Sequence, residues 1–110
     1  MNDKFQVKFT EWAELDLEYI IAYIAENDDI QKAIKIFSKI KEKVFSLSKF
    51  PKRGRVVPEL NRINVKDYIE IIYKSYRIIY FIENKTVFIV GILDGRRDLE
   101  STLYQRIFSA

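Results

Sequence analysis

A chain of 110 residues that is 48% hydrophobic can fill one core, and that composition is far from that of a disordered segment, while no apolar run approaches the ~20 residues of a membrane span. With neither cysteine nor histidine, it has no thiolate or imidazole nucleophile, no Ser-His or Cys-His pair, and no zinc site built from those residues. Any catalysis must therefore run on Lys, Arg, Tyr, Glu or Asp, no carboxylate spacing asks for a metal or other cofactor, and 19 Lys and Arg against 16 Asp and Glu make the chain only mildly basic at +3.

The N-terminus, MNDKFQVKFTEW, lacks the charged-then-apolar layout of a signal peptide, which sets the expectation of a cytoplasmic protein without membrane contact. Phe5-Gln6-Val7-Lys8-Phe9 alternates and predicts a short strand. Thr10 offers a hydroxyl cap for a helix with Glu11 and Glu14 in its first turn, and Ala13, Leu17, Ile20 and Ile24 give that helix one apolar face. Asn27-Asp28-Asp29 ends it. Asp28 with Gln31 has the form of a capping box and starts a second helix. Its expected buried stripe is Ile30, Ile34, Phe37, Val44 and Leu47. Lys32, Lys35, Lys39 and Lys43 line another face, which reads as the wet side. The short link makes an antiparallel helical hairpin, and Pro51 is the expected stop of the second helix.

Phe50 to Leu60, FPKRGRVVPEL, reads as a loop with two prolines, a glycine and three cations. From Lys49 to Arg62 the chain carries Lys49, Lys52, Arg53, Arg55 and Arg62 against the single acid Glu59, whereas the first thirty residues are acidic. Three strand-like runs follow, Tyr68 to Tyr73, Tyr76 to Ile82 and Thr86 to Leu93, joined at Lys74-Ser75 and Glu83-Asn84-Lys85 as an antiparallel meander. Their apolar residues occupy both alternation phases. One face is expected on the helical hairpin and the other open to a partner. Leu99 to Ile107 is a short final helix. Helices followed by strands in one domain, residues 1–110, favour an α+β sandwich over a doubly wound sheet.

Alternation places Tyr76, Ile78 and Tyr80 on one face and Arg77, Ile79 and Phe81 on the other. Arg77 thus points among apolar neighbours, where a cation either pairs with a carboxylate or waits for an anion. A structural ion pair with Glu59 is the simpler of the two. In ILDGRRDLESTLYQR, Ile92 to Arg106, a glycine turn presents Arg96 and Arg97 where the last strand emerges, between Asp94 and Asp98 with Glu100 beyond. That turn is either solvated, with Asp98 capping the next helix, or a guanidinium clamp for phosphate. Trp12, Ile21 and the open sheet face supply apolar surface beyond what a small monomer exposes, so the isolated chain is expected to be poorly soluble or to self-associate until a partner covers it.

Several of these pieces together resemble the RelE/ParE superfamily of toxins from type II toxin–antitoxin systems. They are WAELDLEYIIAYIAE from Trp12 to Glu26, FPKRGRVVPEL from Phe50 to Leu60, YRIIYFI from Tyr76 to Ile82 and VGILDGRRDL from Val90 to Leu99. The resemblance runs in order over nearly the whole chain and is closer to the ParE branch. It implies an α+β fold with an N-terminal strand, an antiparallel helical hairpin packed on an antiparallel β-meander, and a short C-terminal helix. ParE-like members poison DNA gyrase and are not enzymes in their own right; RelE-like members enter the ribosomal A site and cleave mRNA. Both are silenced by a cognate antitoxin in a hetero-oligomer.

The resemblance therefore implies a gyrase inhibitor with no catalytic residues and no cofactor. Arg77, Asp94, Arg96, Arg97, Trp12 and Ile21 would contact target or antitoxin. Several ParE-like sequences carry histidine where this one has Asp94, within a pattern like LHGRRD, so site transfer is weakest there. The alternative is a metal-independent, ribosome-dependent endonuclease. It would use Glu59 as base, Arg77 and Arg96 or Arg97 on the phosphate, and Tyr104 as acid or stacking ring. Glu59 and Arg77 match positions of some RelE-like ribonucleases but occur in non-cleaving relatives too. A third reading is a degenerate toxin that keeps only antitoxin binding.

Overall fold

The structure, a computed structural model, describes residues 4–95 and 98–108. Strand β1 spans Gln6–Phe9 and leads into helix α1, Glu11–Asn27. The Thr10 hydroxyl accepts from the Ala13 N–H at 3.3 Å and donates to the Ile89 carbonyl at 2.8 Å, so the same cap starts α1 and pins it to the sheet. Helix α2, Ile30–Ser46, opens at Asp29 and not at Asp28. Asp28 is still closing α1, its N–H donating to Ile24 at 2.8 Å, while the Asp29 carboxylate accepts from the Lys32 N–H at 2.7 Å. The helix also stops well before Pro51. Tight turns carry the N–H groups of Leu47, Ser48 and Lys49 to Val44, Phe45 and Ser46, and the Ser48 carbonyl accepts from Phe5.

Two short elements interrupt the expected loop: strand β2, Arg55–Val56, and helix α3, Pro58–Asn61, with Pro58 in the first turn, where its missing N–H costs nothing. Strands β3, Ile69–Tyr73, β4, Tyr76–Glu83, and β5, Thr86–Asp94, form the meander, and helix α4, Leu99–Phe108, closes the described chain. The sheet order is β1-β5-β4-β3-β2, with β1 parallel to β5 and the other pairs antiparallel. Glu83 pairs with Thr86, leaving a two-residue turn in which Asn84 and Lys85 have φ of 50° and 61°, the left-handed pair a type I′ hairpin requires.

Helices α1 and α2 pack on one face of the sheet. The buried stripe of α2 is Ala33, Ile36, Ile40 and Val44, continued by Leu47; Ile30, Ile34 and Phe37, expected inside, are exposed. Two apolar stripes run along this helix, and the one containing Ala33 faces inward because a small side chain lets the helices approach. The opposite sheet face is not open as expected. Val57, Leu60, Ile79, Leu93, Leu99 and Leu103 form a second core there, roofed by α3 and α4. An α+β domain with a core on each side of one sheet results.

Candidate functional site

Three constellations carry the charge and apolar surface that the core does not absorb. The first surrounds Arg77. Its Nε donates to Glu70 at 2.6 Å, and its two terminal nitrogens donate to the two oxygens of Glu59, each at 2.8 Å. Arg55, opposite Glu70 in the β2–β3 register, donates its Nε to the other Glu70 oxygen at 2.8 Å. Four strands and helices thus converge: β2 gives Arg55, α3 Glu59, β3 Glu70 and β4 Arg77. Two guanidinium groups meet two carboxylates, so the charges around the wholly buried Glu70 side chain are compensated within the cluster.

Hydrogen bonds from Arg77 hold the Glu59 carboxyl down at about 2, against the opposing effect of burial, with the charges of Arg77 and Arg62 helping. Glu59 in turn pushes Arg77 further above its ordinary value, with Glu70 assisting. A carboxylate this acidic is a poor proton acceptor near neutrality. Arg77 is equally committed, with its fork closed on Glu59 and its Nε on Glu70. The simpler sequence-based alternative, a structural Arg77–Glu59 pair, is what forms. Glu70 was not anticipated, although a lone acid inside the apolar run Ile69-Glu70-Ile71-Ile72 was the available signal.

The second constellation sits on the edge of β5. Strand β1 pairs with β5 only to Ile89, which leaves the next backbone groups without a strand. Asp16 of α1 accepts from the Ile92 N–H at 2.9 Å, and Arg106 of α4 donates to the Val90 carbonyl at 3.1 Å. The two side chains also pair bidentately at 2.7 and 2.8 Å, each 8% exposed. A side-chain ion pair thus replaces the missing strand and ties α1, β5 and α4 together. Gly91 makes room for it, since a Cβ there would lie 3.0 Å from the Arg106 guanidinium. Asp16 lies between Ala13 and Leu17 on the apolar face of α1, and that misplaced acid was the legible sign of this pair.

The third is a groove of about 610 Å³ between α1 and α2, lined by Phe9, Leu17, Ile21, Ile30, Ile34 and Phe37. Glu14 and Glu18 stand on its α1 wall. Lys41 stands on the other, 5.3 Å from the Phe9 and Phe45 ring centres and 5.5 Å from that of Phe37. Ile21 belongs to this groove. Trp12 does not: it lies on the other flank of α1, 48% exposed, its ring 4.8 Å from the Arg106 guanidinium. Leu15, Tyr19 and Tyr23 continue that exposed flank.

The remaining sequence-predicted site residues are dispersed. Asp94 ends β5 opposite Tyr76, and the Gly95 N–H donates to the Ser75 carbonyl at 2.7 Å. Arg96 and Arg97 lie outside the described residues. Asp98 accepts from the Ser101 N–H at 3.1 Å, as a cap for α4 should. Tyr104 is half exposed against Phe108, ring centres 4.6 Å apart. Among the described residues no three Asp or Glu gather as they would around a metal, and no helix is long and apolar enough to cross a membrane.

A family model described as the ParE toxin of the type II toxin–antitoxin system parDE matches residues 7–99. No curated protein matches the sequence significantly. Among solved structures, a chain of the chromosomal ParDE toxin–antitoxin system from P. aeruginosa aligns at 20% identity and a TM-score of 0.70, covering 84% of this chain and 98% of that one. The toxin–antitoxin complex RelBE2 from Mycobacterium tuberculosis aligns at 23% identity and a TM-score of 0.62, covering 83% and 91%. The YoeB dimer from Staphylococcus aureus gives 18%, 0.56, 81% and 94%. At these identities the solved structures speak for the fold alone.

Proposed function

Since the chain belongs to the ParE toxin family of type II toxin–antitoxin systems, we propose that it inhibits DNA gyrase by binding and is silenced by a cognate antitoxin. The observation that carries this reading is the closed Arg77–Glu59–Glu70 network. Glu59 and Arg77, the base and one phosphate ligand that an RNA-cleaving site would need free, are spent on each other and on Glu70, and Glu59 sits at about 2, far below a working general base. Residues 1–110 act as one toxin domain. Arg96 and Arg97, with Asp94, Trp12 and the half-exposed Tyr104, serve as target-side contacts. The groove holding Ile21, Ile34 and Phe37 has the apolar lining to seat an amphipathic helix, and this is the antitoxin's place.

Brief induction in bacteria, with pulse labelling of DNA and protein synthesis over the first minutes, tests the target. DNA synthesis should stop first while translation continues. Early collapse of translation would replace this reading with ribosome-dependent mRNA cleavage. Replacing Arg96 and Arg97 together with alanine should abolish toxicity in a folded protein, and full toxicity in that variant would remove them from the contact surface.

A further inference from the structure

We propose that the outward face of α2, extended by the loop at 49–55, is a track for the phosphate backbone of duplex DNA. From Lys32 to Arg55 the sequence has nine cations and one acid, Glu42. Lys41 belongs to the apolar groove; the others do not. Lys32, Lys35, Lys39 and Lys43 recur at helical spacing, and Ser46 follows on the same face. There the loop returns to the helix: the Arg53 guanidinium donates to the Ser46 hydroxyl at 2.9 Å. Arg53 therefore continues the lysine row as its last cation, from a different segment of the chain. At 1.5 Å per residue the row from Lys32 to Ser46 is about 21 Å long, the length of roughly six base pairs.

The charge on this row is largely uncompensated. Lys32 pairs with Asp28 and Lys39 with Glu42, both in exposed contacts. Among the described residues no carboxylate lies in ion-pair distance of Lys35, Lys43, Lys49, Lys52 or Arg53. Arg55 commits only its Nε to Glu70, and its side chain is 61% exposed. The loop is held in place as well. The Tyr80 hydroxyl donates to the Pro51 carbonyl at 2.8 Å, and Gly54 is pressed so close to β3 that a Cβ would lie 2.5 Å from the Glu70 carbonyl. The cations are thus presented from a fixed surface, which keeps down the ordering cost of binding.

α1, by contrast, carries Glu11, Glu14, Asp16, Glu18 and Glu26 and no Lys or Arg. That polarity would orient the molecule with its α2 side toward a polyanion. Gln31, Ser38, Glu42 and Ser46 accompany the lysines on α2 with no aromatic ring on that face, and the loop adds a single exposed ring, Phe50, which is no platform for successive bases. A straight row of point charges without stacking rings suits the regular backbone of a duplex better than a single strand, and it reads no base sequence. The inference is independent of which enzyme the toxin inhibits.

The test is fluorescence anisotropy of the chain alone with a labelled 20-base-pair duplex of scrambled sequence, across a salt series. Four phosphate contacts predict that log K falls with log salt at a slope of about −3.6. The triple variant Lys35→Glu, Lys43→Glu, Arg53→Glu should weaken binding at least about tenfold and flatten the slope by about 3, while Lys74→Glu, in the β3–β4 turn at the far end of the sheet from this loop, changes neither. A triple glutamine variant of the same residues should give the same direction with native thermal stability, separating lost contact from lost fold. No measurable binding at low salt, an unchanged slope in a folded variant, or preference for a single strand of equal length would each overturn the proposal.

Discussion

Replacing Glu59 by Gln removes one charge from a closed network and leaves its shape nearly intact. The carboxyl moves from an ordinary 4.5 to about 2 on folding, chiefly through the two hydrogen bonds from Arg77. A gap of that size corresponds to about 3 kcal/mol. With the side chain 19% exposed, solvent screening reduces this to about 2 kcal/mol. Because the folded value lies below the unfolded one, the contribution is fully present above about 4.5 and is lost as the pH falls through about 2. Urea denaturation should therefore show Glu59→Gln less stable by about 2 kcal/mol at pH 7 and by about 1 kcal/mol at pH 3. A domain with 5–15 kcal/mol to spare stays folded, and a toxin that acts by binding stays toxic. An equal gap at both pH values would refute the assignment of the acidic carboxyl. Loss of toxicity in a demonstrably folded variant would refute the non-catalytic role.

Three further outcomes follow from the same geometry. Ile34→Glu puts a charge on an exposed groove position, so thermal stability should change little while antitoxin co-expression no longer rescues growth. Arg106→Met leaves the Asp16 carboxylate buried with only the Ile92 N–H as partner, at a cost of about 3–5 kcal/mol in urea denaturation; adding Asp16→Leu should recover part of it. Gly54→Ala forces a methyl against the Glu70 carbonyl and the Ile69 side chain at 2.5 and 2.6 Å, so it should lose about 1–3 kcal/mol by the same measurement.

Periodicity made much of this fold legible. The apolar face of α1, the cap at Thr10, the hairpin and the three-stranded meander follow from spacing and turn residues alone, and alternation correctly put Arg77 on the face it shares with Ile79. Periodicity failed on α2 because the helix carries two apolar stripes, 30/34/37 and 33/36/40/44, and spacing does not say which faces the sheet. The small Ala33 was the available tie-breaker. Prolines concealed β2 and α3 by making an ordered segment read as a loop. Glu70 and Asp16 escaped notice for a common reason: each is a single acid within an apolar pattern, and its partner lies far along the chain, Arg77 and Arg55 for one and Arg106 for the other. Sequence shows the anomaly but not the pairing, because the pairing depends on how β2, β4 and α4 are brought beside these residues.

Helix α1 links the proposed binding surfaces through its own shape. Ala13, Leu17 and Ile20 face the sheet and Ile21 faces the groove, while Trp12, Leu15, Tyr19 and Tyr23 are 48%, 50%, 66% and 57% exposed. Apolar side chains on three sides of one helix, interrupted by the acidic strip Glu11, Glu14 and Glu18, ordinarily lie against a larger body. Here the rest of that body must be supplied by partners. At 100° per residue Ile21 and Trp12 point in nearly opposite directions, so one helix laid in the groove cannot also cover the aromatic flank. Under the proposed function, occupancy of the groove accounts for antitoxin affinity, but silencing requires that the aromatic flank and the β5–α4 turn be covered as well. An antitoxin segment that continues past the groove and around α1 satisfies both needs. One that ends in the groove binds the toxin and leaves it active.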